Sequence, residues 1–344
     1  MKANCENVNF YDSGFTHRFL KAGYPMVQGT NGKSGGRAFI RSSRLWMLRK
    51  DFRRNYVVYF LALLVLVYYF LFHYLPMYGI IIAFQDFSPR RGVLGSPFVG
   101  LKHFSNFFSS PSLVRVVRNT LLINIYELVF SFPFPILFAL MLNELRLIRF
   151  KRVVQSLTYM PHFLSLVVVC GMINEFVASN GMINQLINFF GGASVSFLGN
   201  AKYFRGVYVL SGIWQGFGWS SIIYIAAIAG VDREQYDSAM IDGAGRLRQA
   251  WNITLPGIAP TIIILLIMRI GSMMSVGHEK ILLLYNPMTY ETADVVSTYI
   301  YRIGILDSNY SFSSAVGVFN SVINFSLLIT ANYISKRVSE TSLF

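Results

Sequence analysis

Six long runs of apolar residues dominate the chain, at approximately residues 56–82, 117–142, 153–177, 207–231, 258–276 and 315–334. A helix needs about 20 apolar residues to cross the hydrocarbon of a bilayer, with about 17 as the lower limit. Each run meets or approaches that length. Lipid offers no partner for a bare peptide group, so such runs fold as helices that satisfy their own backbone. The sequence therefore predicts an all-α membrane protein, a six-span helical bundle at 55–335. A basic segment precedes it at 1–54, and a short tail follows at 336–344. Composition agrees, because 54% of the 344 residues are hydrophobic, 16% are aromatic and only 13% are charged, against about 25% charged in soluble domains.

The positions of Lys and Arg orient the bundle. Eleven of the 30 precede the first run, and the loops at 143–152 and 232–257 hold four and three. The tail adds Lys336 and Arg337, which brings one side to twenty. The alternate loops hold eight: Arg90, Arg91, Lys102, Arg115, Lys202, Arg205, Lys280 and Arg302. By the positive-inside rule both termini are cytoplasmic. This asymmetry also accounts for the net charge of +14 without nucleic acid, since the cations border a membrane and form no groove-reading module.

Several soluble-protein functions drop out. Residues 29–34, Gly-Thr-Asn-Gly-Lys-Ser, imitate the end of a phosphate-binding loop, but Val27 stands where its first glycine belongs and no apolar strand precedes it. That stretch reads as a flexible linker, and the chain shows no nucleotide site of its own. Cys5 and Cys170 are too few and too far apart in kind of surroundings for a disulfide framework. The basic amino-terminal segment lacks the apolar core and cleavage site of a secretory signal. Histidines at 17, 73, 103, 162 and 278 are scattered, so neither a metal site nor a catalytic set is expected.

The loop between the fourth and fifth runs is long and patterned. Asp232 is a candidate N-cap, with Glu234 and Gln235 in the first turn of a helix ending near Ile241. Gly243 and Gly245 break it, a second short helix follows from Arg246 to about Ile253, and Leu255-Pro256 leads back toward the membrane. The physics supports two readings equally. One is a knob exposing Tyr236, Ala239 and Met240 for another protein's groove; the other is an amphipathic hairpin lying on the lipid surface.

Asp237-Ser238-Ala239, Gly243 and Ile253-Thr254-Leu255-Pro256 resemble the EAA motif of ABC-importer permeases: E-A-A, three residues, G, about nine residues, then I-x-L-P. Asp237 and Ser238 depart from its opening Glu and Ala, although Asp237 retains the carboxylate. The resemblance implies a type I importer permease of a bacterial cytoplasmic (inner) membrane, in which this loop is the coupling helix gripped by an ATPase subunit. Asp237, Ser238, Ala239, Asp242, Gly243, Leu255 and Pro256 would form that contact. It further implies a second permease subunit in a heterodimer, two ABC ATPase subunits that bind ATP and Mg, an extracytoplasmic solute-binding protein, and no cofactor in this chain. Residues 73–79, 84–87, 100–104, 285–287, 290–295 and 297–302 resemble the oligosaccharide branch of the family. They are most similar to permeases for fragments of polysaccharides, uronate-containing alginate and pectin among them.

Ionisable and amide side chains inside the runs are few, and a charge at the bilayer centre costs about 3 kcal/mol, so each is a candidate for the transport path. Asn124 and Glu127 share a helix face at i, i+3, and Asn320 and Asn324 share one at i, i+4. Trp214 and Gln215 lie in the fourth run and Arg269 in the fifth. For the amides and Glu127, hydrogen bonding between helices is the commoner role. Arg269 has a further option, pairing with Glu127 or with a partner subunit, and Trp214 could stack on a sugar ring. The positive outer loops would attract an acidic sugar, or a docked binding protein. An ion-coupled secondary transporter is the rival from another class. It predicts two similar halves with broken helices, and no internal repeat of that kind stands out.

Overall fold

The computed structural model describes residues 51–338. The basic segment through residue 50, with Cys5 and the 29–34 stretch, and tail residues 339–344 lie outside the described residues. The chain divides into two units, one ending at Leu75 and the other beginning at Pro76. The described part of the first unit is helix α1 (Tyr56–Tyr69) continued by a π-turn at Phe70–Tyr74. Asp51 accepts hydrogen bonds from Asn55 at 2.7 Å and from the Tyr59 hydroxyl at 2.6 Å just before and along its first turns. The helix is apolar around its whole circumference, as a membrane-spanning helix can be.

The second unit is a helical assembly. Its main elements are α2 (Ser112–Tyr126), α3 (Pro133–Glu144), α4 (Ile148–Tyr159), α5 (Leu166–Val177), α6 (Met182–Phe189) and α7 (Ala201–Ala229). Then come α8 (Arg233–Ile241), α9 (Arg246–Gln249), α10 (Leu255–Gly271), α11 (His278–Leu284), α12 (Val296–Tyr301) and α13 (Tyr310–Val338). Among the described residues no β-strand forms, only an isolated bridge between Gln85 and Phe98.

Five helical runs among the described residues are long and apolar enough to cross a membrane: Tyr56–Phe84, Ser112–Glu144, Leu166–Phe189, Arg246–Gly271 and Tyr310–Arg337. Helix α7, matching the fourth apolar run, has 29 residues but is not among them. Its Gly, Ser, Gln and aromatic content lowers its apolarity because it packs against α3, α4 and α10. Small residues allow such close helix contacts in a membrane protein. The run expected as one span at 153–177 is interrupted. Helix α4 stops at Tyr159, a 3₁₀ turn covers Met160–Phe163, and α5 begins at Leu166 with the Ser165 hydroxyl accepting from the Val168 N–H. Pro161 supplies the physical reason, having no N–H to continue a helix. Arg149, Lys151 and Arg152 fall on the separate α4, and the apolar stretch extends instead through α6.

Prolines also shape the other long helices. The π-turns Phe70–Tyr74, Glu127–Ser131 and Ala250–Thr254 each end two residues before a proline, Pro76, Pro133 and Pro256. A proline ring collides with the carbonyl four residues earlier and offers no N–H to it. Widening that turn by one residue moves the carbonyl aside and keeps the helix running. At the second site the Phe132 N–H donates to the Glu127 carbonyl, five residues back, at 3.0 Å.

Three apolar clusters hold the second unit together. One joins Ile123, Val169, Phe204, Tyr208 and Ile281 from α2, α5, α7 and α11. Another gathers Phe107, Met274, Tyr299 and Val316 beside α13, and a third joins Ile136 and Ala139 of α3 to Tyr224, Ile228 and Ile258 of α7 and α10. The α4–α7 approach depends on Gly218, where an added Cβ would stand 2.3 Å from the Thr158 carbonyl oxygen. Backbone cannot yield as a side-chain tip can, so Gly218→Leu is expected to destabilise the bundle by about 1–3 kcal/mol or more. The melting midpoint in detergent reads this out, and an unshifted midpoint would show that the two helices separate freely.

Candidate functional site

The loop between α7 and α10 forms as its sequence predicts, and then differs in which face it presents. Asp232 caps α8, its carboxylate accepting from the Glu234 N–H at 3.0 Å. Gly243 ends the helix at φ 72°, and the Ala244 N–H reaches back to the Ala239 carbonyl at 2.8 Å. This is the left-handed closure that glycine accepts readily. Helix α9 is short and continues through the Ala250–Thr254 π-turn into α10, so Leu255 and Pro256 are its first turn and not a separate lead-in. Arg246 anchors the loop to the end of α3, its guanidinium donating to the Glu144 carbonyl at 3.4 Å and standing 3.7 Å from the Glu144 carboxylate.

Tyr236 corrects the expected knob. Its hydroxyl hydrogen-bonds Thr254, which is buried, at 2.9 Å, because a half-buried phenol seeks a polar partner. Met240 is exposed as the knob requires, and Ile241, Leu247 and Trp251 are exposed with it, Ile241 and Leu247 being 87% and 89% accessible. Asp237, Ser238, Asp242 and Gly243 are also exposed, while Ala239 is half-buried. Large apolar side chains left exposed in a loop that also exposes carboxylates are of the kind that another protein covers.

A second site lies among α2, α3, α7 and α10. A cavity of about 720 Å³ is lined by Glu127, Ser131, Gly212, Trp219, Tyr224 and Arg269, with further apolar residues, a size within the range of about 300–1,000 Å³ typical of small-molecule sites. Arg269 donates through Nη2 to the Glu127 carboxylate and, at 3.5 Å, to the Asn124 side-chain oxygen. Asn124 is itself fixed, its amide donating to the Thr120 carbonyl at 2.9 Å. Opposite charges brought together here reduce the cost of holding either in the bilayer. Near the far end of α7, Lys280 donates to the Tyr208 carbonyl at 3.0 Å and lies 4.7 Å from the Tyr208 ring centre. Burial pushes its ammonium down to about 8, while Glu127 pulls in the opposite direction.

The remaining expected path residues lie elsewhere. Trp214 lines a separate apolar pocket of about 360 Å³ with Met172, Phe176 and Ile183. Gln215 is half-buried and lines neither cavity. Asn324 accepts from the Met274 N–H at 2.8 Å and donates to Ser275 at 2.9 Å, tying α13 to the segment after α10. Asn320 buries its side-chain oxygen without a hydrogen-bond partner. Sequence reasoning selected Trp214 where the structure puts Trp219 in the charged cavity. Five residues turn an α-helix by about 140°, so the two indoles cannot share a face. The spacing Gly212 to Trp219, a near-integral two turns, was the available signal.

Five of the eight outer cations, Lys102, Arg115, Arg205, Lys280 and Arg302, have internal partners. Asp294, 0% exposed, accepts both arms of Arg302 at 3.2 and 2.7 Å, Arg115 at 3.3 Å and the Thr298 hydroxyl at 3.0 Å. Its charge and hydrogen bonds push the Arg302 guanidinium up against the opposing effect of burial. Asn119 donates to the Glu291 and Asp294 carbonyls and accepts from Arg205 at 2.9 Å. Lys102 pairs with Asp86 at 2.8 Å. Arg90, Arg91 and Lys202 remain on the surface.

This assembly of long apolar helices, with an exposed loop and a charged internal cavity, has the parts of a membrane transport subunit. The model of the "binding-protein-dependent transport system inner membrane component" family matches residues 117–340, and the chain belongs to that family. It is therefore the membrane component of an ABC transporter, not the component that hydrolyses ATP. Among its relatives, the polygalacturonan/rhamnogalacturonan transport system permease protein YteP of Bacillus subtilis (strain 168) is 44% identical over 89% of this chain and 95% of its own length. Protein LplB of the same organism is 44% identical over 85% of this chain and 92% of its own. A chain of a bacterial alginate ABC transporter, crystallised with an alginate pentasaccharide-bound periplasmic protein, superposes with a TM-score of 0.80 at 40% identity, over 87% of this chain and 100% of that one.

Proposed function

We infer that the chain is one of two permease subunits of an ATP-driven importer that carries oligosaccharides, uronate-bearing ones included, into a bacterial cytoplasm by alternating access. The observation that carries the substrate class is the near full-length similarity to two systems described by acidic polymers, polygalacturonan/rhamnogalacturonan in one case and alginate in the other. Six spans with both termini inside follow from the hydropathy and charge distribution. Two ATPase subunits bind ATP and Mg, and one of them grips the 232–256 loop. The exposed Met240, Ile241, Leu247 and Trp251 beside Asp237 and Asp242 support that docking. Closure of the ATPase pair drives two such loops together, and the helices respond by opening the cavity to the other side. An extracytoplasmic binding protein delivers the cargo, and the second permease completes the path.

Proteoliposomes holding the complex, with its binding protein outside, should accumulate labelled tetragalacturonate only when ATP is enclosed. Uptake by this chain alone and without ATP would overturn the reading in favour of a secondary transporter.

A further inference from the structure

The lining of the 720 Å³ cavity holds one cation and one anion, and a second cation lies buried behind it. Arg269 and Glu127 line it, and Lys280, only 7% exposed, stands just behind Gly212. A Cβ on Gly212 would lie 3.3 Å from Lys280 Nζ and 3.9 Å from Glu127 Oε1. The bare α-carbon of Gly212 therefore leaves open a position that the ammonium and that carboxylate oxygen both border. Glu127 is held by Arg269 through its other oxygen, Oε2. Two cations against one carboxylate in a low-dielectric wall favour the entry of an anion.

The cavity also has the features a sugar ring requires. Trp219 is 41% exposed and is braced on one side by His162, stacked at 4.7 Å with planes 6° apart. The Ser131 hydroxyl, lining the same cavity, is buried with no hydrogen-bond partner of its own. Arg269 uses Nη2 for both Glu127 and Asn124, and both forked edges of a guanidinium, Nε with Nη2 and Nη1 with Nη2, include that nitrogen, so a second carboxylate gains a fork only by displacing Glu127.

We propose that this cavity recognises the carboxylate of an acidic sugar by exchange: the substrate carboxylate takes Arg269 from Glu127, and Glu127 turns past Gly212 to Lys280, while the ring stacks on Trp219. The proposal rests on the oligosaccharide reading above and adds the group that the cavity selects. After exchange each carboxylate has its own cation and the wall is neutral. On release Glu127 returns to Arg269, acting as an internal competitor that prevents the site from holding its cargo too tightly. A neutral sugar has nothing with which to displace Glu127.

The test compares uptake of tetragalacturonate with that of its fully methyl-esterified form by the complete reconstituted transporter. The unaltered complex is expected to favour the acid. Arg269→Gln should raise KM for the acid about tenfold to a hundredfold, the range for losing a hydrogen-bonded charge partner, and so remove the preference for the acid over the ester. Glu127→Gln removes the competitor and should lower both KM and kcat for the acid, an outcome no merely structural ion pair produces. Binding-protein-stimulated ATP hydrolysis checks assembly of each variant. An unchanged acid preference in Arg269→Gln, or a raised KM in Glu127→Gln, overturns the exchange while leaving oligosaccharide import standing. Equal uptake of both probes by the unaltered complex does the same. If the unaltered complex transports neither probe, the oligosaccharide reading fails and the exchange falls with it.

Discussion

Asp294→Ala should destroy the folded outer layer of the subunit. The carboxylate is fully buried and accepts from Arg302, Arg115 and Thr298 together. Removing it leaves two guanidinium groups facing a hole, one of them 21% exposed at its side chain. Breaking a buried pair by deleting one partner costs about 3–5 kcal/mol, mostly through the charge left behind. The loss would spread, because Asn119 on α2 bonds the Asp294 carbonyl and also holds Arg205 of α7. The segment through Asp294 thus joins two helices distant in sequence. Expression of the variant in membranes, followed by detergent extraction and thermal challenge, should show a much lowered midpoint. Asp294→Asn should be milder, since the amide keeps the volume and one acceptor oxygen. Equal stability of Asp294→Ala and the unaltered protein would show that the two arginines are solvated without it.

Gly243→Pro should abolish coupling while leaving an inserted, folded bundle. Gly243 adopts φ 72°, and proline is locked near −65°, so the closure of α8 by the Ala244–Ala239 bond cannot form. The exposed surface of Met240, Ile241, Leu247 and Trp251 would then lose its fixed shape. ATP-dependent transport is expected to fall below about one hundredth, since a misplaced part of this kind commonly costs that factor. The melting midpoint should move little, because the loop contributes few buried side chains. Gly243→Ala, strained at positive φ by about 1–2 kcal/mol, should retain partial transport. Normal transport by Gly243→Pro would remove the loop from the coupling mechanism.

The fold was legible in the sequence where hydrophobic length decides it, as in the helices beginning at Tyr56, Ser112 and Tyr310. It was less legible where packing decides. Pro161 splits a run that hydropathy joins, and α7 is less apolar than the outer helices because its neighbours are helices instead of lipid. The Arg269–Glu127 contact was readable because a charge inside a bilayer seeks its opposite. Trp219 was not, since in a chain with 16% aromatic residues no ring stands out until a cavity selects it. Arg302 was counted as outer-surface charge, but a basic residue eight positions from an acid reveals no pairing by local spacing. Only the path of the backbone brings Arg115 and Arg302 to the same carboxylate. Tyr236 was misjudged for a related reason: its partner Thr254 belongs to the turn leading into the next helix.

The proline-linked π-turns bear on how this chain should be compared with others. Each holds one residue more than an α-helical path would use. A related protein without the proline has no need of that residue, so the correct alignment to this chain carries a one-residue gap inside a membrane helix, where gaps are ordinarily disallowed. At Glu127–Ser131 the consequence is concrete. An ungapped comparison would match residues beyond the turn to positions about 100° around the helix from their structural equivalents, and a pore-facing side chain of one protein would be read as lipid-facing in the other.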